Sequence, residues 1–269
     1  MVIMKKERKI KMKIDKRKNY YIVLDTEGLG LNDHKKKVYG RQRSYDVGYV
    51  IIDKKGTIIK MFNALTKEIF GDSKLMATAY FANKIPLYEY MIDNKEVKEK
   101  MFIKIVNEIK RDLKKYNIKG ILAYNVNYDI TALVETAQYT MKDNCPKLTF
   151  EKTKNGKYKP LFEVFLQKLL NTKVEFYDIW TMACKTLCQQ KTFLANAKYT
   201  NKGNIITNAE TVYQYITDKE EFKEDHTALS DAIIESEILA RIFANGCSLM
   251  KQMYFPFRMI PKEYQRKVA

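Results

Sequence analysis

Tyr20-Tyr21-Ile22-Val23-Leu24-Asp25-Thr26-Glu27-Gly28 decides how this chain is read. Its apolar first half has the composition and length of a buried strand. The strand ends in two acids, Asp25 and Glu27, around Thr26, and then a turn glycine. Side chains alternate along a strand, so Asp25 and Glu27 point to one face. Downstream, residues 44–53 and 57–64 flank Lys54-Lys55-Gly56 with arms rich in Val, Ile and Phe, the pattern of a hairpin. Three antiparallel strands are therefore expected at the start of the fold.

Beyond them the apolar period changes from two to nearly four. Val97, Met101, Ile105, Ile109 and Leu113 predict one amphipathic helix over 95–116. Residues 121–125 read as a fourth strand and 129–138 as a helix. Residues 161–170 read as a short helix, 174–178 as a fifth strand and 179–190 as the helix that follows it. Asn155-Gly156 marks a hairpin within a lysine-rich insertion at 142–160, and residues 198–206 suggest a smaller one. Helices are expected over 208–217 and 227–245. The order β-β-β-α-β-α-β-α-α predicts an α/β fold, a mixed central sheet with helices on both faces. Residues 249–269 are left unplaced.

The chain has 269 residues and a 46% apolar composition, enough for a real core. No apolar run approaches the ~20 residues of a membrane span, and the first 18 residues lack the apolar stretch of a signal peptide. Four cysteines and two histidines argue against a disulfide scaffold or a Cys/His zinc site, which fits a reducing interior. Cys184 and Cys188 read as core residues on an inward helix face. The net charge is +17. One reading is a polyanionic partner. The other is an AT-rich genome, since the 49 basic residues comprise 41 lysines and only eight arginines. Residues 1–18 carry nine basic and two acidic residues and are expected to form a mobile tail.

Carboxylates at the end of a central strand are costly unless neutralised, and a pair of divalent cations would neutralise them. The alternative for Asp25 and Glu27 is a solvated acidic turn. Asp129 follows the fourth strand, where it joins the first pair if the two strands are neighbours, or serves as a first-turn carboxylate. Asn125 and Asn127 suit caps or turns. His226 and Asp231 would diverge on a regular helix. They converge if Thr227 is the N-cap and His226 lies on the preceding loop.

In this order, and each on the expected element, Asp25-Thr26-Glu27, Asn125-Val126-Asn127-Tyr128-Asp129 and His226-Thr227-Ala228-Leu229-Ser230-Asp231-Ala232 resemble the three motifs of the DEDDh branch of the 3′–5′ exonuclease superfamily. That family includes polymerase proofreading subunits and ribonuclease T. The resemblance covers about residues 20–243, and Asp178 falls where the family commonly ends its last strand in an acid. Tyr124 departs from the pattern, since many relatives carry His there. The spacers around Asp129 are long, and residues 1–18 and those beyond 245 have no counterpart in the minimal domain.

The resemblance implies a ribonuclease H-like exonuclease fold, a five-stranded mixed sheet flanked by helices, here with basic insertions. It divides the chain into a tail (1–18), an exonuclease domain (19–245, with an insertion at about 140–170) and a C-terminal extension (246–269). It implies hydrolysis of phosphodiesters from a 3′ end, releasing nucleoside 5′-monophosphates, with two Mg²⁺ or Mn²⁺ ions. Asp25 would bridge the ions, Glu27 and Asp231 would hold the one that activates water, Asp129 would support the other, and His226 would be the general base. Gly28 and Leu29 would lie against the 3′-terminal nucleotide, with Asn125 as a further substrate contact; Leu29 is equally readable as a core residue. The implied partners are single-stranded nucleic acid or the 3′ ends of DNA or RNA, with DNA slightly ahead, and a polymerase or replication protein. A cytoplasmic, bacterial or phage-encoded protein without a membrane fits these features. The insertion, with Phe150 and Tyr158 among its lysines, reads either as a guide for single strands or as a solvated loop. The competing function is a non-catalytic nucleic-acid adaptor on the same fold.

Overall fold

The computed structural model describes residues 14–15, 17–29, 32–33, 38–39 and 42–266. Residues 1–13 of the expected tail lie outside the described residues. The centre is a mixed sheet. β1 (Tyr20–Gly28), β2 (Ser44–Asp53) and β3 (Ile58–Thr66) run antiparallel in succession. β4 (Glu99–Lys100) adds to β3 in parallel, and β5 (Ile118–Ala123) and β6 (Phe176–Asp178) add in parallel on the far side of β1. The order is β6-β5-β1-β2-β3-β4. The five expected strands are present in the ribonuclease H-like arrangement, and β4 is a two-residue sixth at the edge.

That small strand corrects the helix expected over 95–116. Val97 is buried in a local core with Leu65, Ile69 and Tyr88, and Glu99–Lys100 pair with Leu65–Thr66. The helix starts only at Phe102, whose N–H is taken by the Glu68 carboxylate at 3.0 Å. The spacing of four from Val97 to Met101 therefore does not belong to one helix face. Earlier in the chain, α1 spans Ile85–Asp93, and the late-starting helix is α2 (Phe102–Lys115).

The alternation of β1 builds the layers. Ile22 and Leu24 pack toward α2, α3 (Val126–Met141) and α4 (Phe162–Leu170). Tyr21 and Val23 pack toward α5 (Ile179–Lys185), α6 (Ala209–Thr217) and α7 (Ala228–Ala244). Both faces are covered, so β2 is buried at every position. The insertion forms a hairpin pairing Phe150–Lys152 with Tyr158–Pro160. The segment after α7 returns to the sheet. Met250 O accepts from Asp178 N, Met253 N donates to Thr181 Oγ1, and Ile260 is buried.

The N-terminus of α7 rests directly on β2. A Cβ at Gly48 would lie 2.2 Å from Leu229 N and 2.3 Å from Ala228 C, so only glycine admits this approach. Thr227, at the N-cap, makes no side-chain capping bond. Asp46 of β2 does this work instead: its Oδ2 accepts from Ala228 N at 3.0 Å and from the Tyr88 hydroxyl at 2.8 Å. Gly48→Ala is expected to push α7 off the sheet and to cost about 1–3 kcal/mol, as overpacking does. Thermal unfolding measures this; an unchanged Tm would contradict the contact.

Candidate active site

β1 outruns its parallel neighbour. It pairs with β5 only as far as Val23, while its pairing with β2 continues to Gly28. Asp25, Thr26 and Glu27 therefore stand beyond the end of β5, beside the crevice where α3 leaves the sheet. Asp25 and Glu27 face the α7 side. Thr26 faces the α3 side, and its hydroxyl donates to Asp129 Oδ1 at 2.8 Å. Asp129 is buried in the first turn of α3. Asp231 lies in the first turn of α7, with Glu235 one turn further on.

His226 sits on the loop before α7 in a left-handed conformation, φ 49°. Its Nδ1 is 3.8 Å from Asp231 Oδ2 and 3.9 Å from Glu224 Oε2. Its ring lies flat on Phe81, with centroids 4.3 Å apart and planes inclined by 13°. Asp25, Glu27, His226 and Asp231 line one cleft of about 350 Å³, together with Thr26, Phe81, Tyr128, Glu224 and Glu235. Asp129 reaches that group from beneath, through Thr26.

The other expected contacts are placed differently. Gly28 borders Tyr128, where a Cβ would meet the phenol oxygen at 2.8 Å. Leu29 is only 2% exposed and packs with Tyr45, Leu65 and Met76, so it presents no surface to a nucleotide. Asn125 takes a left-handed backbone at the start of α3, and its Oδ1 accepts from Gln252 Nε2 at 2.6 Å. That bond ties it to the C-terminal segment and away from the cleft. Asp178 is also structural: it accepts from Val126 N and from the Thr181 N–H and hydroxyl, joining β6 to α3 and α5.

The sequence reading missed Glu224, Glu235, Asp46, Phe81 and Tyr128 as parts of the site. Glu235 had a signal, because it follows Asp231 by four residues and so shares its helix face. It is buried and accepts from Tyr124 N at 3.1 Å. Asp46 is opposite Glu27 across the β1–β2 register, which only the pairing reveals.

No lysine or arginine lines the cleft among the described residues. Burial, then the charges of Asp129 and Asp46, hold Asp25 well above the usual carboxylate range. Burial and Asp25 push Glu27 up to about 10 and Asp231 up to about 9. Burial raises Asp129 to about 8, opposed by its bond from Thr26. His226 moves down, through burial and then Lys84, which keeps the imidazole neutral at neutral pH.

Asp25 Oδ2 and Asp231 Oδ1 are enclosed without a hydrogen-bond partner. Ligand atoms of Glu27, His226 and Asp231 all lie within 4.8 Å of one another. An enclosed, unpartnered oxygen on each of Asp25 and Asp231, in a cleft where the Glu27, His226 and Asp231 ligand atoms gather, fits a hard divalent cation, which supplies the missing counter-charge.

No family model and no curated protein matches the sequence. Similar solved structures include a full-length 3′-exonuclease at 11% identity, covering 89% of this chain and 88% of that one, with a TM-score of 0.49. Another is E. coli Exonuclease I in complex with a dT13 oligonucleotide, at 11% identity and a TM-score of 0.48, covering 84% of this chain but only 41% of that one. A third, at 11% identity, 89% and 88% coverage and a TM-score of 0.44, is a 3′-exonuclease described in 3′-end specific recognition of the histone mRNA stem-loop. The bearing on function comes from the side chains in the cleft, not from these likenesses.

The carboxyl cluster makes stability depend on pH. These groups hold protons more tightly folded than unfolded, so the cation-free folded chain carries the extra protons. Its stability falls as pH rises from the ordinary carboxylate range, near ~4, through the raised values. In EDTA, the Tm of the wild type relative to Asp25→Asn is expected to drop between pH 6 and 9. Mn²⁺ is expected to restore it most at the high end. Parallel Tm curves for the two proteins, with and without Mn²⁺, would contradict the arrangement.

Proposed function

We propose that this chain is a divalent-metal-dependent 3′–5′ exonuclease that releases nucleoside 5′-monophosphates from single-stranded ends of DNA or RNA. The observation that carries the reading is the meeting in one cleft of Asp25, Glu27, Asp231 and His226, with Asp129 bonded behind them through Thr26. These residues come from three distant stretches of sequence, which a solvated acidic turn does not explain. A pure nucleic-acid binder has no use for a neutral imidazole against enclosed carboxylates.

Asp25, Glu27, Asp129 and Asp231 would hold the metal, which when bound stabilises charge on the attacking and leaving oxygens of a phosphodiester. The chain's own residues do the rest. Neutral His226, open on one side and seated on Phe81 on the other, takes the proton from the attacking water. Asp231 and Glu224 face Nδ1 and stabilise the imidazolium that forms. Tyr128 forms part of the cleft wall, its phenol oxygen seated where a side chain at Gly28 would lie.

His226→Ala is expected to lower kcat by about 10²–10⁴-fold, the range for a lost general base, while Mn²⁺ binding by calorimetry survives. Loss of Mn²⁺ binding would make His226 a ligand instead. Asp25→Ala is expected to abolish both. The deciding assay follows 3′- and 5′-labelled single strands of DNA and RNA with Mg²⁺, Mn²⁺ or EDTA. Stepwise 3′ shortening that EDTA stops supports the exonuclease, and binding without shortening under every metal supports an adaptor.

A further inference from the structure

A second concavity, of about 550 Å³, lies on the other side of the first turns of α3. Asn127, Ile130 and Thr131 form one wall. Lys159, Pro160 and Leu161, leaving the inserted hairpin, form another. Tyr128, between Asn127 and Asp129 in sequence, lines the catalytic cleft, so one helical turn separates the two depressions.

The hairpin next to this groove is built unlike the core strands. Phe150 pairs with Pro160, and Lys152 with Tyr158. Directly opposed side chains share a face, as do alternate residues of one strand. Phe150, Lys152, Tyr158 and Pro160 therefore project together. Phe150 is 55% exposed and Tyr158 70%, a surface that a two-stranded hairpin gains nothing by showing to water. The insertion at 142–160 carries six lysines against two acids. The two acids of the groove wall share one ammonium, Lys251 Nζ, at 2.6 Å from Glu163 and 4.0 Å from Glu175, and Lys159 on the hairpin wall offsets the remaining charge.

Exposed rings interleaved with lysines, beside a groove one helical turn from the acidic cleft, match the needs of a flexible strand. Such a strand offers unstacked bases to rings and a phosphate backbone to ammonium groups, whereas a duplex keeps its bases stacked inside. We propose that the α3–hairpin groove, with the Phe150–Tyr158 face, is a second binding site for single-stranded nucleic acid, gripping the strand upstream of the end held in the cleft. This rests on the exonuclease reading for the direction of the strand, but not for the binding itself.

The test uses the full chain and a fluorescent single strand of about 16 nucleotides, as DNA and as RNA, the upper site size of a typical single-strand binder. Binding is read by anisotropy in EDTA, where no cleavage intervenes. Phe150→Ala/Tyr158→Ala is expected to weaken strand binding by roughly 10-fold or more, as the loss of base stacking does. Lys152→Glu/Lys157→Glu is expected to weaken it and to flatten its salt dependence. With metal, both variants raise KM for the long strand but hydrolyse the p-nitrophenyl ester of thymidine 5′-monophosphate, which fills only the cleft, at the parental rate. Parental strand affinity in the aromatic variant, a duplex competing as well as a single strand, or a wild type that binds no strand would each overturn the proposal. Weakened binding in EDTA together with an inert ester would uphold the groove and overturn the exonuclease reading.

Discussion

The site hangs on a contact with no space in it. The first turn of α7 lies on β2 at Gly48, closer than any side chain allows, and Asp46 two residues earlier closes the helix end by accepting from Ala228 N. This seating sets the height and rotation of α7. It thereby sets where Asp231 and Glu235 point and where the loop bearing His226 must run. Asp46 also takes the Tyr88 hydroxyl, so the helix end, the sheet and the small core beneath α1 are fastened at one carboxylate. A buried acid is expensive unless its hydrogen bonds are made. Here one oxygen makes two, and burial still holds the group up at about 6.

Against that rigid frame the cleft is electrostatically incomplete. A chain of net charge +17 gathers acids, and no lysine or arginine, at the end of its central strand among the described residues. The basic residues lie elsewhere, on the inserted hairpin and along the outer surfaces. On the exonuclease reading, the two populations would divide the labour of handling a polyanion. Dispersed lysines raise its local concentration without holding any phosphate in place, while the acids repel it until a cation intervenes. Affinity for the polymer and competence for the bond would then be controlled separately.

Much of this was legible in the sequence because it depends on local pattern. The acids at the end of a strongly apolar strand, the hairpin around Gly56 and the position of Thr227 at the start of α7 follow from period, turn chemistry and residue type, although the bond that closes this helix end comes from Asp46. The placement of His226 outside the helix, with Asp231 inside it, followed from the same boundary. What failed depended on partners distant in sequence. Val97 fits the period of α2, yet pairing of the next residues with β3 removes it from the helix. Leu29 and Asn125 were each open to two readings that only distant partners separate: Leu29 is drawn into the core under α1, and Asn125 makes the left-handed turn into α3, held by Gln252. Asp46 carries no mark in a sequence of many acids, and its role exists only once β1 and β2 are in register.

The return of the chain after α7 has a consequence for the order in which the protein becomes functional. Gln252 bridges Asn125 and the Asn127 N–H, and Met250 and Met253 clasp the ends of β6 and α5. The helix that carries Asp129 is thus secured by residues translated long after it, and the motif holding His226 and Asp231 is itself late. On the exonuclease reading, hydrolytic capacity would wait until the segment around Gln252 has been made and has docked on the start of α3.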